Sequence, residues 1–366
     1  MVVAIDTRTF IDNEPEEDLH FIYWMLIHMA SQHTDDHFIF FSDRPNNRHV
    51  SFSENIEFVE VKPKVRNKLS FKWWYDVKLP KAAKKYKAEV IICPSGTVSL
   101  STKIPQVLVI NDFTVALKKS GLPYLSKSRF EASLKKAKLI ITTTNVVAHH
   151  LVDRLRIVPE KVFQIKGAYN EILKPIQWEE RDKIKEKYSN GCEYFFSYCY
   201  NEALFVLTLK SFSIFKKWQK SNMKLILKNS MSKEVTLAKV ATYKYKDDVV
   251  IIDLDNKLQH QQLLSAAYAM IYTNEIQQFP LPVLEAMSSG VPVIIAGNEA
   301  ALEVAGDVSV FSSENPKELA EQLKMVYKNE AKRNQMIASG FVQANSFNLE
   351  ESAEKLYENI RASVLK

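Results

Sequence analysis

Short apolar runs recur along the chain, and helical patterns fill the intervals between them. In the first half the runs are Val2–Ile5, Phe38–Phe41, Val90–Cys93, Val107–Ile110, Leu139–Thr142 and Val162–Ile165. Leu19–Met29, Trp73–Tyr86, Arg129–Ala137 and Val146–Leu155 carry the helical spacing. The second half repeats the habit, with runs at Tyr194–Tyr198, Leu225–Leu227, Val249–Ile252, Ala269–Tyr272, Val291–Ile295 and Val308–Phe311. Strands alternating with helices predict α/β architecture, with doubly wound parallel sheets covered on both faces.

The polar stretch Tyr169–Asp182 has no clear period and divides the halves. The expected organisation is a Rossmann-like domain over 1–170 and a second over 171–348. An amphipathic helix over 349–366 then crosses back to the first domain. Ligands of open α/β sheets bind beyond the carboxyl ends of the strands, so two such domains are expected to share a cleft.

Composition narrows the chemistry. The chain has 366 residues, 46% apolar and 25% charged, which is ordinary globular material. Its 8 glycines are few, since average usage near 7% would give about 26. Glycine-rich phosphate loops are therefore unexpected, and neither a G-x-G-x-x-G nor a P-loop motif is present. Cys93, Cys192 and Cys199 have no metal spacing and read as inert buried thiols in a reducing compartment. MVVAIDTRTF reads as a first strand and not a signal peptide, and no run reaches membrane-spanning length. The adjacent pair His149-His150 points about 100° apart on a helix and lacks a third ligand nearby, so no metal is expected.

The net charge of +6 is uneven. Residues 1–174 hold 26 Lys+Arg against 19 Asp+Glu, a balance of +7; residues 175–366 hold 23 against 24, a balance of −1. Lys62–Lys87 alone holds ten basic residues around Asp76, interleaved with Phe71, Trp73, Trp74 and Tyr75. That mixture suggests a phosphate-bearing surface, either membrane headgroups or nucleic acid. The alternative is a solvated helix whose aromatics face the core.

The most informative stretch is Phe279–Val293, FPLPVLEAMSSGVPV. Pro282 suits a first helical turn and Gly290 a left-handed cap. A helix starting beyond the strand Ala269–Tyr272 aims amide donors and partial positive charge at the strand ends. Glu285, one turn inside, can accept two hydrogen bonds from the vicinal diol of a ribose. It can equally be a surface carboxylate that complements the helix dipole. By position, Asp112, Glu275 and Asp253 are the other carboxylates expected near strand ends.

LPVLEAMSSGVPVI, LEVAGDVSVF and NPKELAEQL together resemble the C-terminal domain of family-4 retaining glycosyltransferases, the glycosyl transferases group 1 of the GT-B fold. CPSGTVSLSTKIPQVLVINDF, KAKLIITTTNVVAHHLVDRLRIVPEKVFQIKGAYNE and SFSIFKKW extend the likeness. The resemblance implies two Rossmann-like domains, a nucleotide-sugar donor on the second, and a glycan or lipid-linked acceptor on the first. It also implies transfer with retention in polysaccharide biosynthesis, with no cofactor beyond the donor. Glu285, Asn274, Phe279, Leu281 and Pro282 then become donor-binding residues, with the amides of Phe279 and Leu281 facing sugar and phosphate. Gln277, Asn111 and Asp112 become the catalytic positions. A cytoplasmic protein is implied, peripheral to the inner membrane face if Lys62–Lys87 touches lipid; nucleic acid is not expected as a partner.

The cleft positions depart from the family. Gln277 stands where the first glutamate of a Glu-x7-Glu pair belongs, and Pro280 removes an N–H donor. Cys199 and Tyr200 replace a Gly-Arg, and Lys210 is the one base nearby. Losing one such donor to a leaving diphosphate typically costs about 2.7–4 kcal/mol. A His-Asp pair has become Asn111-Asp112, and family glycines have become Lys228-Asn229 and Asp253. The acidic loop Ile11–Leu19 replaces a glycine-rich one. A catalytically inactive homologue that binds a glycan or a partner enzyme is the alternative these changes keep open.

Overall fold

The computed structural model describes residues 1–10, 17–45, 53–111, 125–168, 174–253, 257–276 and 279–364. These form two compact units. The first takes in the chain up to residue 168, Phe279, and the C-terminal stretch from Phe347. The second takes in residues 174–276 and Pro280–Ser346.

The described strands of the first unit are β1 (Val2–Asp6), β2 (His37–Ser42), β3 (Ile56–Glu60), β4 (Val90–Cys93), β5 (Gln106–Ile110), β6 (Leu139–Thr142) and β7 (Val162–Gln164). They pair in the order β3-β2-β1-β4-β5-β6-β7, every neighbour parallel. The central strands are buried on both faces, which is why they read as unbroken apolar runs. β3, IEFVE, escaped that reading. It is an edge strand, half-buried, with Glu57 and Glu60 in its pleat.

The second unit holds β8 (Tyr194–Cys199), β9 (Lys224–Asn229), β10 (Val249–Ile252), β11 (Ala269–Thr273), β12 (Val293–Ala296) and β13 (Val310–Ser312). Their order is β10-β9-β8-β11-β12-β13, again all parallel. Both sheets change direction of winding next to their first strand, the place where open α/β sheets leave a crevice at their carboxyl ends. The two Rossmann-like sheets make this a GT-B fold.

Element boundaries shifted where local chemistry outweighed the apolar pattern. The helix expected from Trp73 begins at Lys68, because Asn67 and Ser70 form a capping box. It continues through a π-helical stretch, Trp74–Lys78, to Lys85. β12 begins at Val293, not Val291, because the Val291 amide returns to the Ala286 carbonyl (2.9 Å) and ends the preceding helix. Gly290 (φ +74°) makes that turn, and a Cβ there would approach Phe341 to 2.9 Å. The helix Leu349–Val364 packs on the helix Glu17–Gln32 within the first unit. Cys93 and Cys199 are buried, whereas Cys192 is partly exposed, which departs from the expectation of three inert buried thiols.

Candidate functional site

At the second unit's strand ends, β8 finishes in Cys199, and Asn201 caps the helix Glu202–Trp218 by accepting from the Leu204 amide (2.9 Å). Burial pushes the Cys199 thiol up to about 12, so it is neutral and offers an anion no charge. Tyr200 stacks on Tyr198 (5.3 Å between ring centres, 11° between planes), and the Tyr198 hydroxyl meets His260 Nε2 at 2.8 Å. Lys210 is exposed and eight residues into its helix. At 1.5 Å per residue, that is about 12 Å from the helix start.

Asn229 and Asp253 tie neighbouring loops together. Asn229 Nδ2 donates to Asp253 Oδ1 (3.0 Å) and to the Met231 carbonyl (3.1 Å), and Asn229 Oδ1 accepts from Thr236 Oγ1 (3.0 Å). The Asn229 hydrogen bond and the Lys233 ion pair (3.1 Å) hold the Asp253 carboxyl below its ordinary range. Lys228 Nζ lies 5.7 Å from the Tyr198 ring centre.

Beyond β11, Asn274 is buried and committed to its own loop. Its Oδ1 accepts from the Ile276 amide (3.0 Å), and its Nδ2 donates to the Tyr272 hydroxyl (3.3 Å). Asn298 Nδ2 then fastens the loop by donating to the carbonyls of Asn274 (2.7 Å) and Ile276 (3.0 Å). Asn298 Oδ1 meanwhile caps its own helix at Ala301. Glu275 is exposed.

The helix Leu281–Ser288 follows, with Pro282 buried and Leu281 and Glu285 half-buried. Pro280 and Pro282 lack an N–H, and the Val283 amide turns to the Pro280 carbonyl (3.0 Å). This helix start therefore offers an anion fewer donors than an ordinary one.

In the first unit the structure brings Asn111 and Phe279 together. Asn111 Oδ1 accepts from Thr143 Oγ1 (2.7 Å) and from the Phe279 amide (3.4 Å). The amide expected to face sugar or phosphate is thus spent on Asn111. The Phe279 ring is fully buried, tilted against Phe21 (4.9 Å) and Phe347 (5.9 Å). It lies so close over Gly167 that a Cβ there would fall 2.5 Å from the ring. Asp112 and Gln277 lie outside the described residues.

The sequence reading missed a buried charged cluster at the ends of β1, β2 and β4. Asp6 Oδ2 accepts from the Tyr75 hydroxyl (2.7 Å) and Ser95 Oγ (2.8 Å), and Asp6 Oδ1 from the Arg8 amide (3.1 Å). The Arg8 guanidinium is 6% exposed, donates to the Tyr75 hydroxyl (3.3 Å), and sits 5.3–5.9 Å from the ring centres of Phe71, Trp74 and Tyr75. Among the described residues its Nε has no hydrogen-bond partner. Burial opposes the Arg8 charge, but Tyr75, Asp6 and Asp43 together hold its pKa above the ordinary value. Asp43 takes the Val65 amide (2.8 Å) and Arg44 Nε (2.9 Å), and burial nevertheless raises its carboxyl. A usable signal existed: Asp6-x-Arg8 puts two charges directly after a fully apolar strand.

Among the described residues no group of three or more His, Cys, Asp or Glu is placed to hold a metal, and no helix is long and apolar enough to cross a membrane.

Residues 199–342 match the family model described as glycosyl transferases group 1. No curated relative matches the chain. A glycosyltransferase from Rickettsia africae is similar in structure, at 13% identity and TM-score 0.72, covering 100% of this chain and 98% of that one. Sucrose-phosphate synthase from Thermosynechococcus elongatus is similar at 14% identity and TM-score 0.75, covering 99% and 98%. Anabaena HepE in complex with UDP and glucose is similar at 12% identity and TM-score 0.70, covering 99% and 100%.

Proposed function

We propose that this chain, whose residues 199–342 match the glycosyl transferases group 1 model on a GT-B fold, transfers a sugar from a nucleotide-sugar donor. The observation that carries this reading is Glu285. It stands half-buried one turn into the helix that leaves the carboxyl end of β11, inside the matched stretch. There a carboxylate can take both hydroxyls of a ribose. HepE, with UDP and glucose bound on the same fold, supports a donor of that kind.

In this reading the donor lies at the carboxyl edge of the second sheet, near Glu285, Leu281 and Pro282. The acceptor, a glycan or a lipid-linked sugar, meets the first unit near Asn111 and Asp112. The anomeric C–O bond to phosphate breaks with its electron pair leaving on the diphosphate. The acceptor hydroxyl oxygen forms the new bond, and its proton passes to the departing phosphate oxygen. Retention follows when both events occupy one face of the sugar, with Gln277 beside it. No metal or cofactor takes part in the reaction so written. A cytoplasmic protein, peripheral to the inner face of the membrane, fits a lipid-linked acceptor.

One observation favours a second reading, an inactive homologue that binds a glycan or a partner. The places of the family's diphosphate cations hold a neutral buried thiol and a ring stacked on Tyr198, while Lys210 is far along its helix. Calorimetric titration with UDP, GDP and ADP and their sugars separates the two. Binding that weakens about tenfold or more in Glu285→Gln, with donor turnover, is expected for the transferase. Absence of any nucleotide binding leaves the second reading.

A further inference from the structure

The helix spanning Lys68–Lys85 has two unlike faces. Phe71, Trp74, Tyr75, Leu79 and Ala83 are buried. Leu69, Trp73 and Val77, spaced four apart, are 81%, 43% and 46% exposed, and Leu100 beside them is 37% exposed. Four apart is one helical face, so these side chains form a continuous apolar stripe. The same segment carries the ten basic residues of Lys62–Lys87, all exposed except Lys78, whose Nζ rests 4.5 Å from the Trp73 ring centre. The single acid of that stretch, Asp76, is neutralised from within by Arg129 through two hydrogen bonds (2.8 and 3.0 Å).

We infer that this face docks on an anionic lipid bilayer, with Leu69, Trp73 and Val77 entering the headgroup boundary and the lysines meeting phosphates. An apolar stripe flanked by cations, with a tryptophan at its centre, is the composition that lies in a membrane interface. A nucleic acid would use the lysines but has no role for Leu69 and Val77. The docking also sets an orientation. The buried face of the same helix closes over the strand ends: Tyr75 on Asp6 and Ser95, and Trp74 Nε1 on the Val61 carbonyl (2.9 Å). The carboxyl edge of the seven-stranded sheet is therefore held at the lipid surface. The lipid-linked acceptor rests on the proposed transfer reaction; the docking does not.

Vesicle flotation of the full chain, without donor or acceptor, tests this. Binding is expected to vesicles of phosphatidylglycerol with phosphatidylcholine, to fall as salt is raised, and to be absent with phosphatidylcholine alone. Lys68→Gln/Lys72→Gln/Lys81→Gln should weaken it roughly a hundredfold, at about fivefold per lysine. Leu69→Ser/Trp73→Ser/Val77→Ser should weaken it about tenfold or more. Both sets alter exposed side chains, so their melting should match the parent, and Val342→Ser on the second unit should bind unchanged. Lack of flotation at low salt, or binding by either triple variant equal to the parent's, overturns the inference. Because no nucleotide is present, failure here and failure of donor binding are separate results.

Discussion

The two sheets share a plan but finish their strands differently. At the ends of β1, β2 and β4 the first unit buries Asp6 and Arg8 with Tyr75 and Ser95, joined across the chain by hydrogen bonds, and adds the charge of buried Asp43. At the ends of β8, β11 and β12 the second unit places a buried neutral thiol, Tyr200 stacked on buried Tyr198, and the buried asparagines Asn274 and Asn298, which bond the loop after β11. Buried charge is costly unless paired, so the first arrangement depends on every member. Neutral amides and caps are individually cheaper to lose.

The comparison should break first at Asp6. Asp6→Ala leaves Arg8 charged and buried without an acid that favours its charge, and removes the acceptor shared by the Tyr75 and Ser95 hydroxyls. A loss of about 3–5 kcal/mol is expected in urea unfolding. Its counterpart in the second unit, Asn298→Ala, removes a helix cap and two loop bonds, and about 2 kcal/mol should be lost. If Asn298→Ala proves as costly as Asp6→Ala, the contrast between charged and neutral strand ends fails. Gly167→Ala forces the Phe279 ring to move, and such overpacking costs about 1–3 kcal/mol.

Acid should weaken both units by the same route. Burial opposes ionisation of Asp76 and Asp248, but hydrogen bonds from Arg129 in one case and from Lys216 and Lys224 in the other outweigh it, leaving both carboxyls below the ordinary value. A carboxyl lowered by folding stabilises the native state above its unfolded pKa and loses that contribution as pH falls through the folded one. Melting temperature should therefore drop below about pH 4. Asp43, raised by burial, acts in the opposite sense, losing stability as pH rises through its raised value. The smallest effect belongs to Lys210→Ala: exposed and well along its helix, it should change stability by less than about 0.5 kcal/mol and leave nucleotide binding unaltered.

Much of the fold was legible because parallel strands buried on both faces appear as apolar runs, and β1, β4, β5 and β8 do so. The edge strand β3 lacks that signature. The charged cluster was not legible as a unit: Asp6 and Ser95 lie 89 positions apart, and only the topology brings them together. Phe279 misled for a related reason. Its loop resembles a donor-facing one, yet its amide and ring are engaged by Asn111 and Gly167, which local sequence does not reveal.

Donor titration against the parent and Glu285→Gln bears most directly on the assignment of the second unit. Saturable binding of a nucleoside diphosphate or its sugar by the parent, weakened about tenfold or more by the substitution with melting unchanged, is the expected result. Equal binding by both, or none by the parent at millimolar ligand, would contradict it.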